Sequence, residues 1–321
     1  MTPLRLTLAI ADYPHTAAIK SGAIAIDGVA PEFVNVTPQV AAYRRMVREV
    51  EFDVCELAPT TYIIARGYGA PFIALPIFVW RRFHHGGLLV RPDAGIRHPK
   101  DLEGKKVGVR AYSVTTGVWT RGILIDEFGL DASKVTWVVD DEEHVRELKL
   151  PANVVHAPPG RSLAAMMADG EIQAGFDTNA GIGRAGPPVA GWGNVPKPDY
   201  PDLFGDPAAL EADWFRRTGI YPMHGTIVVK DKVLAEHPWV ARSLFDAFER
   251  AKAQWLAKLP TSTAAADKRY RDLLPVVGND PLPQGIAANV PTINALESYA
   301  FRQGLTPRRL SIEEVFFDPQ S

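Results

Sequence analysis

The stretch Arg81 to Val90 reads RRFHHGGLLV, so two arginines and two adjacent histidines stand directly before a short apolar run. An arginine guanidinium meets a carboxylate through two parallel hydrogen bonds, which suits Arg81 or Arg82 to gripping an organic anion. A histidine changes charge near neutral pH and suits the delivery of a proton. The chain has eight histidines. His98, His144, His156 and His237 lie in polar or proline-flanked segments and read as surface, which leaves His15, His84, His85 and His224 for chemistry.

Competing uses of the same residues are concrete. The four remaining histidines, with Asp12 and Glu56, include enough nitrogen and oxygen donors for a divalent ion, but no compact ligand spacing such as HExxH occurs. The reading adopted is therefore no metal, with a metal site as the main mechanistic competitor. Cys55 is the only cysteine, which excludes an intramolecular disulfide and a cysteine-based metal cluster. It reads more simply as a small buried hydrophobe than as a nucleophile. A His-His pair beside glycines can also serve its own loop, Tyr112 and Tyr221 can be packing walls, and Arg121 can be a structural partner within a helix.

The elements that must position these groups alternate in type. LRLTLAIA, FDVCELA and PFIALPIFV read as strands; VAAYRRMVREV and TTYIIARGYG carry apolar residues at helical spacing. A second alternating region follows a crossing strand in GGLLVRPDAGI. There KKVGVR is a strand, AYSVTT a hydroxyl-bearing loop, GVWTRGILIDEFGL a helix ending at Gly129, VTWVVD a strand, and RSLAAMMADGEIQAGF a helix then a strand. TIVVKDKVLAEHP holds a second crossing strand, and WVARSLFDAFERAKAQWLAKL is a strongly amphipathic helix. Such alternation predicts βαβ units on mostly parallel sheets. DDEEHVRELK, residues 140–149, reads as a solvated surface segment, and the Gly- and Pro-dense residues 181–206 as a long loop that walls or covers a site.

A length of 321 residues fits two α/β lobes better than one small domain. With 46% apolar and 22% charged residues the composition is that of an ordinary globular protein, which excludes disorder. The balance of 35 basic against 37 acidic residues supplies no basic footprint, so nucleic acid is not an expected partner. No apolar run approaches the roughly 18 residues of a membrane span, and MTPLRLTLAIADYPHT lacks the layout of a signal peptide. A cytoplasmic protein without a membrane partner is expected; whether it forms a homo-oligomer stays open.

In this order the pieces resemble the class II periplasmic-binding-protein fold, two α/β lobes joined by two crossing segments; the cue is LLVRPDAGIRHPKDLEGKKVGV. The resemblance covers nearly the whole chain and implies lobe one at 1–90 plus 226–321 and lobe two at 91–225. More specifically the chain resembles the 4,5-dihydroxyphthalate decarboxylases. The matching stretches are DYPHT, FDVCELAPTTYI, PFIALPIF, RRFHHG, TTGVWTRGIL and TGIYPMHGTIVV followed by HPWVARSLFDAFERAK. The chain departs from the family pattern at His84, where the family has arginine, at Gly86, where it has serine, and around AYSVTT and FDTNAGIGRAG.

Ligands of open α/β sheets sit beyond the carboxyl ends of strands, and in a two-lobed protein both lobes contribute. This selects Asp12, Tyr13 and His15; Cys55 and Glu56; Arg81, Arg82, His84 and His85; Tyr112, Ser113, Thr115 and Thr116; and Tyr221 and His224. The resemblance implies an aromatic carboxylate as the small-molecule partner and a cofactor-free carboxy-lyase that protonates the ring in the cleft between the lobes. His85 matches the family's histidine and is the first choice for the proton donor, followed by His15 and His224. Glu56 would orient a histidine or accept a phenolic proton. Arg81 or Arg82 would hold the remaining carboxylate, and the hydroxyls at 113–116 would face an anion at a helix start. The expected reaction is decarboxylation of a hydroxylated aromatic acid, 4,5-dihydroxyphthalate to protocatechuate. The alternative from another class is a solute-binding protein for an aromatic or other organic anion, because a fold does not fix a function.

Overall fold

A computed structural model describes residues 2–183 and 199–320. The middle of the long Gly- and Pro-dense segment, residues 184–198, lies outside the described residues, and so does the lid or wall expected there. The chain divides into two compact units. The first holds residues 1–82, 218–295 and 308–321, and the second holds 83–217 and 296–307. The crossings thus fall at Arg82/Phe83 and Arg217/Thr218 rather than at 90/91 and 225/226, and a C-terminal stretch, 296–307, joins the second unit. The physical reason for the first shift is strand pairing, because Leu88–Val90 pairs with Ala174–Phe176 of the second unit.

The first unit is built on strands β1 (Leu4–Ala9), β2 (Val29–Phe33), β3 (Val54–Leu57), β4 (Phe72–Arg81) and a late strand, Met223–Lys230, in the order β2, β1, β3, late strand, β4. β1 runs parallel to β2 and β3, and the late strand runs antiparallel to both of its neighbours. Strands covered on both faces read as unbroken apolar runs, as in FIALPIFV. β2 was not evident in the sequence: VAPEF contains Pro31, which cannot donate to a ladder and suits the edge position this strand takes. The helix Trp239–Leu256 closes one face. Its buried residues Val240, Ala241, Leu244, Ala247, Phe248 and Ala251 recur at helical spacing and pack on Leu8, Val54, Leu75, Ile77 and Ile227. β4 continues through Trp80 and Arg81, so the RRFHHG motif begins on a strand, not in a loop.

The second unit carries β5 (Leu88–Val90), β6 (Lys106–Gly108), β7 (Thr136–Val139), β8 (Val154–His156) and β9 (Ala174–Phe176), in the order β5, β9, β6, β7, β8; only β5 is antiparallel to its neighbour. The late strand of the first unit is then β10. A helix of fourteen residues, Thr115–Phe128, follows β6 and stops at Gly129, whose φ of 66° reverses the chain in the left-handed region. Leu89, Val138, Leu163, Met166, Met167 and Ile172 form a core of this unit. No helix among the described residues is long and apolar enough to cross a membrane.

Candidate active site

In the first unit, the carboxylate of Glu56 is the centre of a hydrogen-bonded group. β3 is buried along its whole length, and Glu56 is fully buried within it, opposite Ile227 of β10. A buried carboxyl needs donors. The Tyr13 hydroxyl donates to Oε1 at 2.6 Å, the Tyr43 hydroxyl donates to the same oxygen at 2.9 Å, and the Ala11 N–H donates to Oε2 at 3.0 Å. Burial pushes the Glu56 carboxyl up, and the three donors work against that. Burial and the nearby Glu56 charge hold Tyr13 and Tyr43 as neutral phenols, well above the ordinary tyrosine range. Gly225 of β10 is required for this approach, since a Cβ there would lie 3.2 Å from Oε1 and 3.1 Å from Val79.

His15 sits beside this group. It is 3% exposed, its ring is stacked on Tyr13 with centroids 5.2 Å apart, and the rings of Trp255 and Tyr270 stand 5.4 and 5.8 Å away. Neither ring nitrogen has a partner of good hydrogen-bond geometry; the Val79 backbone compensates only in part. Burial pushes His15 down to about 3, so it is neutral at pH 7.

A second group of rings and cations adjoins it. Trp80, at the end of β4, meets the edge of His224 at 4.5 Å. The Arg269 guanidinium lies 4.9 Å from the Trp80 ring and 4.6 Å from Tyr270, and Arg82 lies 6.0 Å from Trp80. Burial, followed by Arg82 and Arg269, holds His224 well below the usual histidine value.

Several expected binding residues are placed otherwise. Arg81, expected as a carboxylate grip, is fully buried. It donates to the Tyr221 carbonyl at 2.6 Å, to the Pro283 carbonyl at 3.1 Å and to Asn289 Oδ1, and it stacks on Phe78 and Tyr221. That commits both terminal nitrogens to the fold. Tyr221 donates its hydroxyl to the Pro281 carbonyl at 3.1 Å and forms a packing wall. The Asp12 side chain is 91% exposed and paired with Lys20, at the rim of a pocket of about 310 Å³ that Asn35, Thr37 and Gln39 also line. Cys55 is buried, hydrogen-bonded to the Glu56 carbonyl at 3.1 Å, and burial pushes its thiol up, which disfavours a thiolate nucleophile.

The other expected residues belong to the second unit, because the boundary after Arg82 splits RRFHHG. His84 is 1% exposed, with its ring parallel to Trp119 at 6.4 Å, and its carbonyl accepts from Thr120 Oγ1 at 2.9 Å. His85 is 2% exposed, meets the Trp214 ring at 5.2 Å, and is pushed down to about 4 by burial. Thr115 and Thr116 are buried at the start of Thr115–Phe128. The turn before that helix already holds an anion. Glu143 accepts from the Tyr112 N–H at 2.6 Å, from the Ser113 N–H at 3.3 Å, and from the Ser113 hydroxyl. The Tyr112 ring carries the Arg121 guanidinium at 3.9 Å. Residues 140–149 are therefore not simply a solvated segment. Asp141 forms a buried ion pair with Arg110 at 3.1 Å, and His144, expected at the surface, is 5% exposed.

Tyr43, Trp80, Arg269, Tyr270 and Glu143 were not singled out in the sequence. The one available signal was their type: each is a ring or charge on an otherwise ordinary helix, strand end or charge run. Among the described residues no group of three or more His, Cys, Asp or Glu side chains is placed to hold a metal ion.

Comparison with known proteins agrees with this architecture. Residues 31–180 match the family model described as an ABC transporter phosphonate, periplasmic substrate-binding protein. The fold is similar to that of the periplasmic aliphatic sulphonate binding protein SsuA from Escherichia coli, at 12% identity and a TM-score of 0.55 over 100% of this chain and 94% of that one. It is also similar to that of the desulfurization enzyme DSZB, at 13% identity and a TM-score of 0.52 over 98% and 96% of the two chains. These likenesses establish the periplasmic-binding-protein fold. In sequence, the chain is 33% identical over 98% of its length to the 4,5-dihydroxyphthalate decarboxylase of Comamonas testosteroni, of which it covers 97%. It is 36% identical over 67% of its length to the enzyme of the same name from Pseudomonas putida, of which it covers 83%. The chain belongs to the 4,5-dihydroxyphthalate decarboxylase family.

Proposed function

We propose that this chain is a carboxy-lyase that removes one carboxyl group from 4,5-dihydroxyphthalate, giving protocatechuate, with no organic cofactor or metal ion. The observation that carries the reading is the 33% identity, over 98% of this chain, to a decarboxylase of that name. A hydroxyl para to the departing carboxylate feeds electron density into the ring, and a proton adds to the carbon that bears that carboxylate. The carbon–carbon bond then breaks, its electron pair restores the aromatic ring, carbon dioxide leaves and the phenol recovers its proton.

His15 is the proposed proton donor and the Tyr13–Glu56 pair the proposed phenol partner. The preference over His85 rests on neighbours: His15 stacks on a tyrosine that is hydrogen-bonded to a buried carboxyl, whereas His85 packs on Trp214. Burial holds His15 neutral, and a bound dianion changes that balance, because an opposite charge within about 4–6 Å favours the imidazolium. Substrate binding would thus create the acid that the reaction consumes.

The test is to incubate metal-stripped protein with 4,5-dihydroxyphthalate and follow carbon dioxide and products by mass spectrometry. The expected result is protocatechuate formation that a chelator leaves unchanged. Turnover that appears only after divalent ions are restored would replace the metal-free mechanism. Tight binding without turnover under any condition would favour a solute-binding protein, the reading to which the family-model match over 31–180 points.

A further inference from the structure

We propose that Arg269 binds the carboxylate that the substrate keeps, and so selects aromatic acids with a second, adjacent carboxyl group; this rests on the decarboxylase reading above. Arg269 lies on the helix Ala265–Val277 and is exposed, in contrast to Arg81. Its guanidinium is held by two rings, Trp80 at 4.9 Å and Tyr270 at 4.6 Å, and Nη2 donates to the Arg81 carbonyl at 3.3 Å. Several other arginines at the surface are instead paired with acids: Arg66 with Asp231, Arg161 with Asp169, Arg302 with Asp126, and Arg308 with Glu314. Arg269 has no carboxylate partner among the described residues. A fork fixed by aromatic faces, and engaged among the described residues only through Nη2, is preorganised for a planar bidentate anion.

Two further groups point to a ligand at this place. His15, 3% exposed and with neither ring nitrogen well partnered, meets the edge of the same Tyr270 that carries Arg269. The buried Trp80 Nε1, on the other ring of the cage, also has no hydrogen-bond partner among the described residues. Buried polar groups are ordinarily hydrogen-bonded, so their coincidence around one exposed cation is the pattern of a binding site and not of packing. The arrangement also couples binding to chemistry. The Arg269 charge opposes protonation of His15 and of His224. A carboxylate on Arg269 offsets that charge, so the ligand that fills the grip also makes His15 easier to protonate.

The test compares wild type with Arg269→Gln and Arg269→Lys, each checked for native circular dichroism. Calorimetry measures binding of 3,4-dihydroxybenzoate, which carries the retained carboxylate, and of catechol, which lacks it. Loss of a charge-assisted bidentate contact should weaken 3,4-dihydroxybenzoate binding by roughly 10- to 100-fold in Arg269→Gln and leave catechol affinity unchanged. Arg269→Lys should recover part of the loss, and KM for 4,5-dihydroxyphthalate should rise in the same order. Binding of 3,4-dihydroxybenzoate by Arg269→Gln within about twofold of wild type would overturn the assignment. So would wild-type protein that binds neither compound. The two proposals fail separately. Arginine-dependent carboxylate binding in a protein without turnover retires the decarboxylase reading and keeps the grip, whereas turnover indifferent to Arg269 does the reverse.

Discussion

Replacing His15 by Phe tests the electrostatics of the site apart from its catalysis. The side chain is 3% exposed and lies among Tyr13, Trp255 and Tyr270, and a phenyl ring keeps those aromatic contacts while removing two buried nitrogens without good partners. At pH 7 the histidine is neutral in both folded and unfolded chains, so the substitution should change stability little. Burial pushes His15 down to about 3 in the folded chain, against 6.5 when exposed. The sign follows from proton uptake. Below pH 6.5 the unfolded chain binds a proton at this position that the folded chain refuses, so stability contributed here is complete above pH 6.5 and is lost as the pH falls toward 3. At pH 5 the loss amounts to about 2 kcal/mol, at 1.36 kcal/mol for each pH unit of unequal protonation. Arg269, Lys252 and Asp267 act on the same ring, but they and every other titrating group are common to both proteins. Urea unfolding of wild type and His15→Phe at pH 7 and pH 5 therefore isolates His15 as a difference of differences. Wild type should lose about 2 kcal/mol more than the variant over this interval. Equal losses would refute the claim that His15 is held neutral by burial. Turnover should fall by about 100-fold or more at pH 7, as expected for loss of a general acid; unchanged turnover would remove His15 from the mechanism.

The other expectations concern the supporting residues. Arg81→Ala should destabilise the protein by about 2–4 kcal/mol in urea unfolding, because buried acceptors at Tyr221, Pro283 and Asn289 lose a donor. Wild-type stability with weakened ligand binding would return Arg81 to the role of an anion grip. Glu143→Ala should cost about 1–3 kcal/mol, since the Tyr112 and Ser113 donors lose their acceptor, and Glu143→Gln should cost less. A neutral effect of the alanine would mean that water replaces the carboxylate. Gly225→Ala pushes a methyl against Glu56 and Val79. It should lower kcat by roughly tenfold through displacement of Glu56 while costing only about 1 kcal/mol of stability; a steady-state assay showing unchanged kcat would detach Glu56 from the chemistry.

What was legible in the sequence is what depends on neighbours along the chain. The 3.6-residue period of Trp239–Leu256 and the apolar runs of β3 and β4 could be read directly, because each pattern records burial within one element. The strand-end rule singled out Tyr13, His15 and Glu56, and the second crossing His224; the structure puts all four in one unit. Edge strands escaped notice where burial is slight, as in β2 with its Pro31 and in β8, which is largely exposed. The family resemblance carried the activity, since nothing in periodicity or spacing distinguishes a decarboxylase from a binding protein.

Tertiary structure alone decided which charges are committed to the fold and which remain for a ligand. Arg81 and Arg269 are both arginines near aromatic residues, yet one is enclosed by carbonyls from residues some 140 to 200 positions away, and the other is exposed and rests on Trp80 and Tyr270. Glu143 stands in a run that reads as solvated and instead fills the turn at Tyr112 and Ser113 about thirty residues earlier. The physical reason is common to these cases. A hydrogen-bond partner or a desolvating neighbour acts through distance in space, and that distance is set only when segments remote in sequence pack together.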